Sequence, residues 1–181
     1  MAEIKQPQPA KLISGVLTHF TDLIPVIKSR LEKEFGPIEL TSKLFPFNQT
    51  AYYQAEMGSD IKRQFFAFQE LIAPDQIGPI KVKTNQLEKT LSAEYKKLKV
   101  TRPVNLDPGY LNSSKLVLAT TKDYSHRVYL GNGIYAEVTL QYTQGRYQFW
   151  PWTFPDYQTQ DYLDFFHEVR KAYCNQIKRA S

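Results

Sequence analysis

The sequence is poor in cysteine and histidine and lacks any long hydrophobic run. Cys174 is the only cysteine among 181 residues, so neither an internal disulfide bond nor a zinc site of several cysteines can form. No stretch of about eighteen consecutive apolar residues occurs, which excludes a typical membrane-spanning helix. Residues 1–10 also lack the apolar core of a secretory signal. These absences predict a protein of the cytoplasm that has no membrane partner.

Standard enzyme motifs are absent as well. The chain has neither the phosphate-binding loop of nucleoside triphosphatases nor the glycine-rich fingerprint of dinucleotide-binding enzymes. It also has neither the nucleophile elbow of serine hydrolases nor the paired-histidine helix of zinc proteases. The sequence therefore points to none of these four classes, and whether the protein is an enzyme stays open.

The composition indicates one sheet-rich domain. Aromatic residues make up 14% of the chain, including 12 Tyr and 11 Phe, and such residues favour sheet packing over a helical bundle. A single core is typically built from about 100 to 200 residues. We therefore expect a flexible tail at residues 1–10 and one α+β domain at residues 11–181. Its expected architecture is a mostly antiparallel, twisted sheet with a C-terminal β-meander and about three helices packed on one face.

Hydrophobic periodicity predicts the order of the elements. Strands are expected at residues 12–20 and 61–71, with an edge strand or a bend at 38–47, where Pro46 removes a ladder donor. Helices are expected at residues 21–35, at 75–91 and from residue 159 onward. Residues 113–121 fit either a helix or a strand.

Two local predictions concern the middle of the chain. On the helix at 75–91, an apolar stripe turns Lys81, Glu88 and Lys89 away from the core. A short strand at 104–107 then enters a type II turn at 107–110, because proline and glycine occupy the second and third positions there. The backbone amides of such a turn can point outward toward an anion.

The meander at residues 126–150 is the part that the sequence determines best. A three-residue loop at 131–133, with Gly133 left-handed, brings Arg127 opposite Glu137. A second turn at 144–145 brings Phe149 opposite Leu140. In this register one apolar face carries Val128, Leu130, Ile134, Ala136, Val138 and Leu140.

Positive charge is concentrated in one segment. The net charge is +5, and residues 81–102 hold seven basic residues, set against Glu88 and Glu94. Attraction to a polyanion would be focused there, although charge runs of this kind often only face solvent. The basic residues are Lys81, Lys83, Lys89, Lys96, Lys97, Lys99 and Arg102.

The densest polar stretch follows this segment and predicts a ligand site. Lysine, arginine and turn amides are the donors that a phosphate needs, so the leading hypothesis is a phosphate-bearing ligand such as a nucleotide or an RNA end. The expected cleft lies between the turn at 105–110 and the strands at 122–137. The predicted ligand contacts are Arg102, Asn105, Gly109, Tyr110, Lys115, Lys122 and Arg127.

Three further residues are candidates for catalysis. Asp107 and Glu137 could bind Mg²⁺ or act as bases, and His126 is the natural candidate for a proton carrier. Each has a structural alternative. Arg127 and Glu137 form a cross-strand ion pair in the favoured register, His126 fits a sheet edge, and Asp107 fits its turn.

Two other functions remain open at this point. The basic segment with nearby aromatic residues suits a sequence-independent RNA-binding module. Alternatively, exposed aromatic residues at Tyr52, Tyr53 and 150–157 suit an adaptor that docks a protein partner without catalysis.

Several strings of the sequence resemble the bacterial domain-of-unknown-function family 4416. The similarity lies in residues 35–38, 45–47, 84–85, 105–110, 115–122, 126–137 and 151–157, so it extends over nearly the whole chain. Members of that family sometimes carry a GTP-binding label, whereas this chain lacks the phosphate loop for one. The resemblance implies that the 105–110 string, Lys122, His126, Arg127 and Glu137 belong to the family pattern, and it implies no catalytic role.

Overall fold

The computed structural model describes residues 1–48 and 54–180, apart from the side chains of Gln54 and Ala180. The helices are α1 (Ile24–Phe35), α2 (Gln54–Met57), α3 (Ile77–Glu94) and α4 (Gln160–Ala180). The strands are β1 (Ala10–Thr18), β2 (Ile38–Thr41), β3 (Phe45–Pro46), β4 (Lys62–Ile72), β5 (Asn105–Leu111), β6 (Lys115–Thr120), β7 (Val128–Gly131), β8 (Ile134–Thr143) and β9 (Arg146–Phe149). Thus the ambiguous segment 113–121 contains a strand.

The strands form one antiparallel sheet. Its order is β2-β4-β1-β5-β6-β8-β7, with β3 beside β4 and β9 beside β8. Since β6 occupies one side of β8, both β7 and β9 pair with its other side, one after the other. The α+β class, the single domain and the antiparallel sheet are confirmed. The first strand begins at Ala10, one residue inside the predicted tail.

Helices cover both faces of the sheet, so the prediction that they share one face is wrong. Ile13 of β1 belongs to a core with Phe65 and Phe166 under α4, whereas Leu12 belongs to a second core with Leu31 under α1 and α3. Neighbouring residues of a strand point to opposite faces. Every residue of β1 is buried, as expected for a strand that is covered on both sides.

The predicted type II turn at 107–110 is wrong, because this segment is the middle of β5. Pro108 pairs with Ser14 of β1, and the ladder to β6 begins only at Gly109. Gly109 is required by the close approach of two strands: a Cβ there would overlap the Val117 carbonyl oxygen and lie 2.8 Å from Leu118 Cδ2. Proline and glycine therefore end a ladder here rather than make a turn.

The register of the meander is mostly as predicted. Val128 pairs with Ala136, and Phe149 pairs with Leu140. The loop differs, because Asn132 and Gly133 both have positive φ in a tighter turn, and the pairing shifts at Gly131. A second irregularity, at Thr139, places Leu140 in the core under α4, so its predicted place on the face of Ile134 is wrong.

Candidate functional site

The central strand β5 has an edge that helix side chains complete. The β5–β6 ladder joins only Gly109–Leu111 to Leu116–Leu118, and Leu106 lies beyond it. Lys81 Nζ donates a hydrogen bond to the Leu106 carbonyl oxygen at 2.6 Å, and the Leu106 N–H donates to Glu88 Oε1 at 2.7 Å. Two charged side chains of α3 therefore take the place of a neighbouring strand. We call this stretch the β5 gap.

The prediction that Lys81 and Glu88 point away from the core is wrong. Lys81 is 4% exposed, and only 11% of the Glu88 side chain is exposed. Both residues occupy the buried stripe of α3, in which successive members are four or three residues apart. The stripe consists of Ile77, Lys81, Thr84, Glu88 and Leu91.

Asp107 lies at the centre of a charged network behind the β5 gap. Its carboxylate lies 3.8 Å from Lys81 Nζ and 3.9 Å from Arg63 Nη2. Asn105 Nδ2 donates a hydrogen bond of 2.7 Å to Asp107 Oδ2. The Asp107 side chain is 26% exposed, whereas those of Lys81 and Arg63 are only 5% and 6% exposed. Two buried cations therefore hold a carboxylate that solvent can reach.

Arg63 extends this network into the core under α4. Its Nη1 lies 3.2 Å from Asp156 Oδ2, and its guanidinium lies 4.9 Å from the ring centroid of Phe47 and 5.4 Å from that of Tyr157. Burial raises the pKa of the Asp156 carboxyl above its ordinary value of 3.8, although Arg63 acts in the opposite direction. Burial likewise raises the pKa of Glu88, against the effect of Lys81 and Arg102.

Arg102 connects the network to a surface groove. Its Nη2 donates to Glu88 Oε2 at 2.8 Å and also to Asn105 Oδ1. The groove has a volume of about 740 Å³ and lies between α3, the segment 100–102 and the end of β6. It is lined by Glu56, Asn85, Glu88, Lys89, Ser92, Ala93, Lys96, Val100, Thr101, Arg102 and Thr121. We call it the Arg102 groove.

Fewer cations of the basic segment are available to bind an anion than its composition suggests. Lys81, Lys83 and Arg102 are held in ion pairs with Asp107, Glu34 and Glu88. Within residues 1–48 and 54–180, the other four take part in no ion pair: Lys89, Lys96, Lys97 and Lys99. Two of these four, Lys89 and Lys96, line the Arg102 groove.

A second cluster surrounds Glu137 on β8. Arg127 Nε donates to Glu137 Oε2 at 2.7 Å, so the expected cross-strand ion pair is confirmed. His126 Nε2 lies 3.1 Å from the same oxygen, and Thr139 Oγ1 donates to Glu137 Oε1 at 3.2 Å. Only 2% of the Glu137 side chain is exposed. Its charge is therefore fully engaged by neighbouring residues.

Four rings stack beside this cluster, and we call them the ring column. Tyr124, His126, Trp152 and Trp150 follow one another, with centroid distances of 6.1, 5.0 and 5.3 Å and interplanar angles of 23°, 11° and 5°. The guanidinium of Arg127 covers the end at Tyr124, 4.7 Å from the ring centroid. Parallel rings at these distances stabilise one another and fix the orientation of the imidazole.

The column also closes a second unpaired edge. On the outer side of β8, β7 pairs up to Ala136 and β9 pairs from Leu140, so the residues between them have no partner strand there in the described part of the chain. Trp152 Nε1 donates to the Val138 carbonyl oxygen at 3.0 Å, and Thr153 Oγ1 donates to that of Thr139 at 2.7 Å. We call this stretch the β8 gap.

The predicted site residues thus fall into separate groups. Arg102, Asn105 and Asp107 lie together behind the β5 gap, and His126, Arg127 and Glu137 lie together at the β8 gap. The carboxylates of Asp107 and Glu137 nevertheless share the face under α4. Gly109, two residues after Asp107, pairs with Leu118, which pairs with Glu137 and belongs to the core under α4.

Three predicted contacts lie elsewhere. Tyr110 and Lys115 belong to the opposite face. Tyr110 packs into the core under α1 and α3. Lys115 lies four residues before Ala119 of that core on the same strand, so the two residues share a face. The carbonyl oxygen of Lys122 accepts a hydrogen bond from Arg127 Nη1. Lys122 itself follows Thr121, which lines the Arg102 groove.

The aromatic residues proposed for an adaptor are only partly described. Tyr52 and Tyr53 lie outside the described residues. In the segment 150–157, both tryptophans are half-buried in the ring column and Tyr157 is 2% exposed. These three residues therefore take part in packing, whereas Phe154 of the same segment is 43% exposed, and docking of a protein partner stays a prediction.

The described residues contain neither a metal-binding cluster nor a membrane-spanning helix. Among the described residues, no group of three or more His, Cys, Asp and Glu side chains is placed to bind a metal ion, and Mg²⁺ stays a prediction. Over the same residues, no helix has the length and apolar character needed to cross a membrane.

Comparison with known proteins gives one match. The family model described as Domain of unknown function (DUF4416) matches residues 8–173. No curated protein and no solved structure matches the chain.

Proposed function

Because the chain belongs to the family described as Domain of unknown function (DUF4416), whose description carries no activity, we propose a function from geometry alone: the protein binds a phosphate-bearing small ligand in the Arg102 groove. The observation that carries this proposal is the placement of Lys89, Lys96 and Arg102 around one concave, polar surface. The groove volume of about 740 Å³ lies in the range of ligand sites, roughly 300 to 1,000 Å³.

The three cations differ in how they are held. Arg102 is fixed by Glu88 and Asn105, so it offers a preorganised guanidinium at the wall of the groove. Lys89 and Lys96 are exposed and have no carboxylate partner within the described residues, so their ammonium groups can turn toward an anion. One fixed and two mobile donors suit a phosphate with several oxygens.

Neutral donors and partly neutralised acids complete the lining. Ser92, Thr101 and Thr121 supply hydroxyl groups. Glu88 is engaged by Arg102 and by the Leu106 N–H, and Glu56 lies 3.8 Å from Arg102 Nη1. The lining as a whole sets three cations, Lys89, Lys96 and Arg102, against these two carboxylates. A single phosphate group is therefore not repelled.

A small ligand fits better than a long RNA. Three of the seven basic residues of the segment are already in ion pairs, so within the described residues fewer of its cations are left for the successive phosphates of a nucleic-acid backbone. Two of the four lysines without an ion pair, Lys89 and Lys96, line one groove instead. RNA binding is thus the competing outcome of the experiment.

The experiment measures affinity by isothermal titration calorimetry with pyrophosphate, AMP, GTP and a 5′-phosphorylated RNA oligonucleotide. The double variant Lys89→Ala, Lys96→Ala should bind the preferred small probe at least about tenfold more weakly, because two charge-assisted contacts are lost. The matched control is Lys171→Ala, Lys178→Ala, which removes two exposed lysines of α4 and should leave affinity unchanged.

Three results would contradict the proposal. The first is binding of the RNA alone, with an affinity that falls steeply with salt concentration. The second is the absence of binding for all four probes, and the third is equal binding by both double variants. Unchanged unfolding midpoints of the variants would show that folding is not the cause of lost affinity.

The proposed setting is the cytoplasm, where phosphorylated metabolites are abundant. The lone Cys174 is a free, half-buried thiol, which suits a reducing compartment.

A further inference from the structure

A second groove lies on the β8–β9 hairpin, on the face away from α4. Gln141 pairs with Gln148, and Thr143 pairs with Arg146, so these four side chains share one face. The other face of the hairpin carries Tyr142 and Tyr147, which pack against the core under α4. The groove has a volume of about 410 Å³ and is lined by Gln141, Thr143, Gln144, Arg146, Gln148, Phe149 and Trp150.

The lining is rich in neutral hydrogen-bonding groups. It contains three glutamine amides and one threonine hydroxyl, but neither a carboxylate nor a lysine. Within the described part of the chain, none of the three amides has a hydrogen-bond partner. Each amide offers both donors and acceptors, as sugar hydroxyl groups do. The chemistry that complements this face is a row of neutral hydroxyls.

Trp150 gives the groove a rigid aromatic wall. Its ring stacks on Trp152 at 5.3 Å and 5°, and its backbone N–H donates to Thr153 Oγ1 at 2.8 Å. Its Nε1 is fully buried without a partner among the described residues, so the part of the ring that reaches the groove is carbon. A preorganised carbon surface costs little ordering when a ligand stacks on it.

The burial of Trp150 Nε1 is itself informative. A buried donor without an acceptor destabilises a fold, and a phenylalanine at this place would avoid that cost. The tryptophan nevertheless occupies the position, and what it adds over phenylalanine is a larger flat surface at the end of the ring column.

We propose that this groove binds a sugar ring. The apolar C–H face of the sugar lies on Trp150, and its hydroxyl groups exchange hydrogen bonds with Gln141, Gln144 and Gln148. A nucleic acid suits the groove less well, because Arg146 is its single cation. This inference is independent of the Arg102 groove, which lies beside the other end of β6 and β8.

The test uses tryptophan fluorescence, since both tryptophans of the chain belong to the ring column. The full chain is titrated with maltose, cellobiose, chitobiose and adenosine. We expect one of the three sugars to change the emission saturably. The double variant Gln141→Leu, Gln148→Leu should bind that sugar at least about fivefold more weakly, because it loses two amide contacts.

The matched control is Gln86→Leu, Gln160→Leu, which alters two exposed glutamines on α3 and α4 and should bind as the parent chain does. Urea unfolding midpoints verify that both double variants fold. The proposal is overturned if adenosine alone binds, if none of the three sugars binds, or if the two double variants bind the sugar equally.

Discussion

The β5 gap and the β8 gap both contain strand backbone groups that form hydrogen bonds with side chains, but the side chains differ in chemistry. At each gap, backbone groups of a strand have no partner strand among the residues that the structure describes, and side chains form hydrogen bonds with them instead. At the β5 gap those side chains are the charged Lys81 and Glu88 of α3. At the β8 gap they are Trp152 and Thr153, which are neutral.

The charged and the neutral side chains differ in what they require of the residues around them. A neutral indole or hydroxyl that donates one hydrogen bond is satisfied by that bond alone. A buried charge must in addition be compensated, because its removal from water is costly. Lys81 and Glu88 therefore come with Asp107, Arg63 and Arg102, and this chain of charges extends from the core to the Arg102 groove.

The largest effect is expected from Arg63→Met, which tests the charged region. The variant leaves Asp156 and Asp107 without a close guanidinium, so the free energy of unfolding should fall by about 3 to 5 kcal/mol in urea titrations. The control Arg30→Met breaks an exposed pair with Glu94, whose side chain is 40% exposed, and should cost about 0 to 1 kcal/mol. Equal losses would mean that the charged region is no more demanding than the surface.

A smaller loss is expected from Gly109→Ala, which tests where the β5 gap begins. The new Cβ overlaps the Val117 carbonyl oxygen, so β5 and β6 must separate, at a cost of about 1 to 3 kcal/mol in the free energy of unfolding. The control Gly78→Ala places a Cβ at an ordinary 3.6 Å from Leu130 Cβ and should be neutral or stabilise by up to about 1 kcal/mol. Two losses of similar size would show that the strands are not in close contact at Gly109.

The stability of the β8 gap should respond weakly to Trp152→Phe. The substitution removes the hydrogen bond to the Val138 carbonyl oxygen, so a loss of about 1 kcal/mol is expected in chemical unfolding. Trp150→Phe removes an N–H that has no partner among the described residues and should cost less. If Trp150→Phe were the more damaging of the two, the role assigned to Trp152 in closing the β8 gap would be wrong.

The smallest effect is a pH dependence in the charged region. Because burial raises the pKa of Asp156 in the folded state, the folded protein binds this proton more readily than the unfolded chain does. As the pH rises from 3.8 through the raised pKa, the free energy of unfolding should therefore fall relative to that of Asp156→Asn. Unfolding curves across this window measure the difference.

Asp60→Asn provides the control of opposite sign. The hydrogen bond from Lys62 lowers the pKa of the Asp60 carboxyl, so its contribution to stability is lost as the pH falls. Relative to Asp60→Asn, the parent protein should therefore gain stability as the pH rises. Slopes of equal sign for Asp60 and Asp156 would contradict this account.

The sequence predicts the surroundings of the β8 gap better than those of the β5 gap. The pairing of Arg127 with Glu137 follows from alternation along a hairpin, which is a local property. The stacking of His126 on Trp152 does not follow from it, because two segments on either side of the β8 gap must meet. The irregularity at Thr139 has no local signature that would place Leu140 on the other face.

The spacing of these charged residues, and not their residue type, indicates that they are buried. Lys81 and Glu88 stand at stripe positions between Ile77 and Leu91, and Arg63 stands two residues before Phe65 on the same face of β4. That signal was present in the sequence. For Asp156 no such signal exists, because it lies in a 3-10 turn before α4.

The misassigned turn has a different cause. Pro108 and Gly109 favour a turn by local preference, and only the approach of β6 decides that they lie in a strand. Proline and glycine suit both a turn and the end of a strand ladder, so the sequence alone does not distinguish the two structures.

One consequence of the β5 gap concerns hydrogen exchange. The amide proton of Leu106 is held by a carboxylate of α3 and not by the backbone of another strand. Its exchange with solvent therefore follows the lifting of a helix from the sheet, whereas amides between paired strands follow the parting of those strands. The exchange rate of this one amide proton thus measures how readily α3 separates from the sheet.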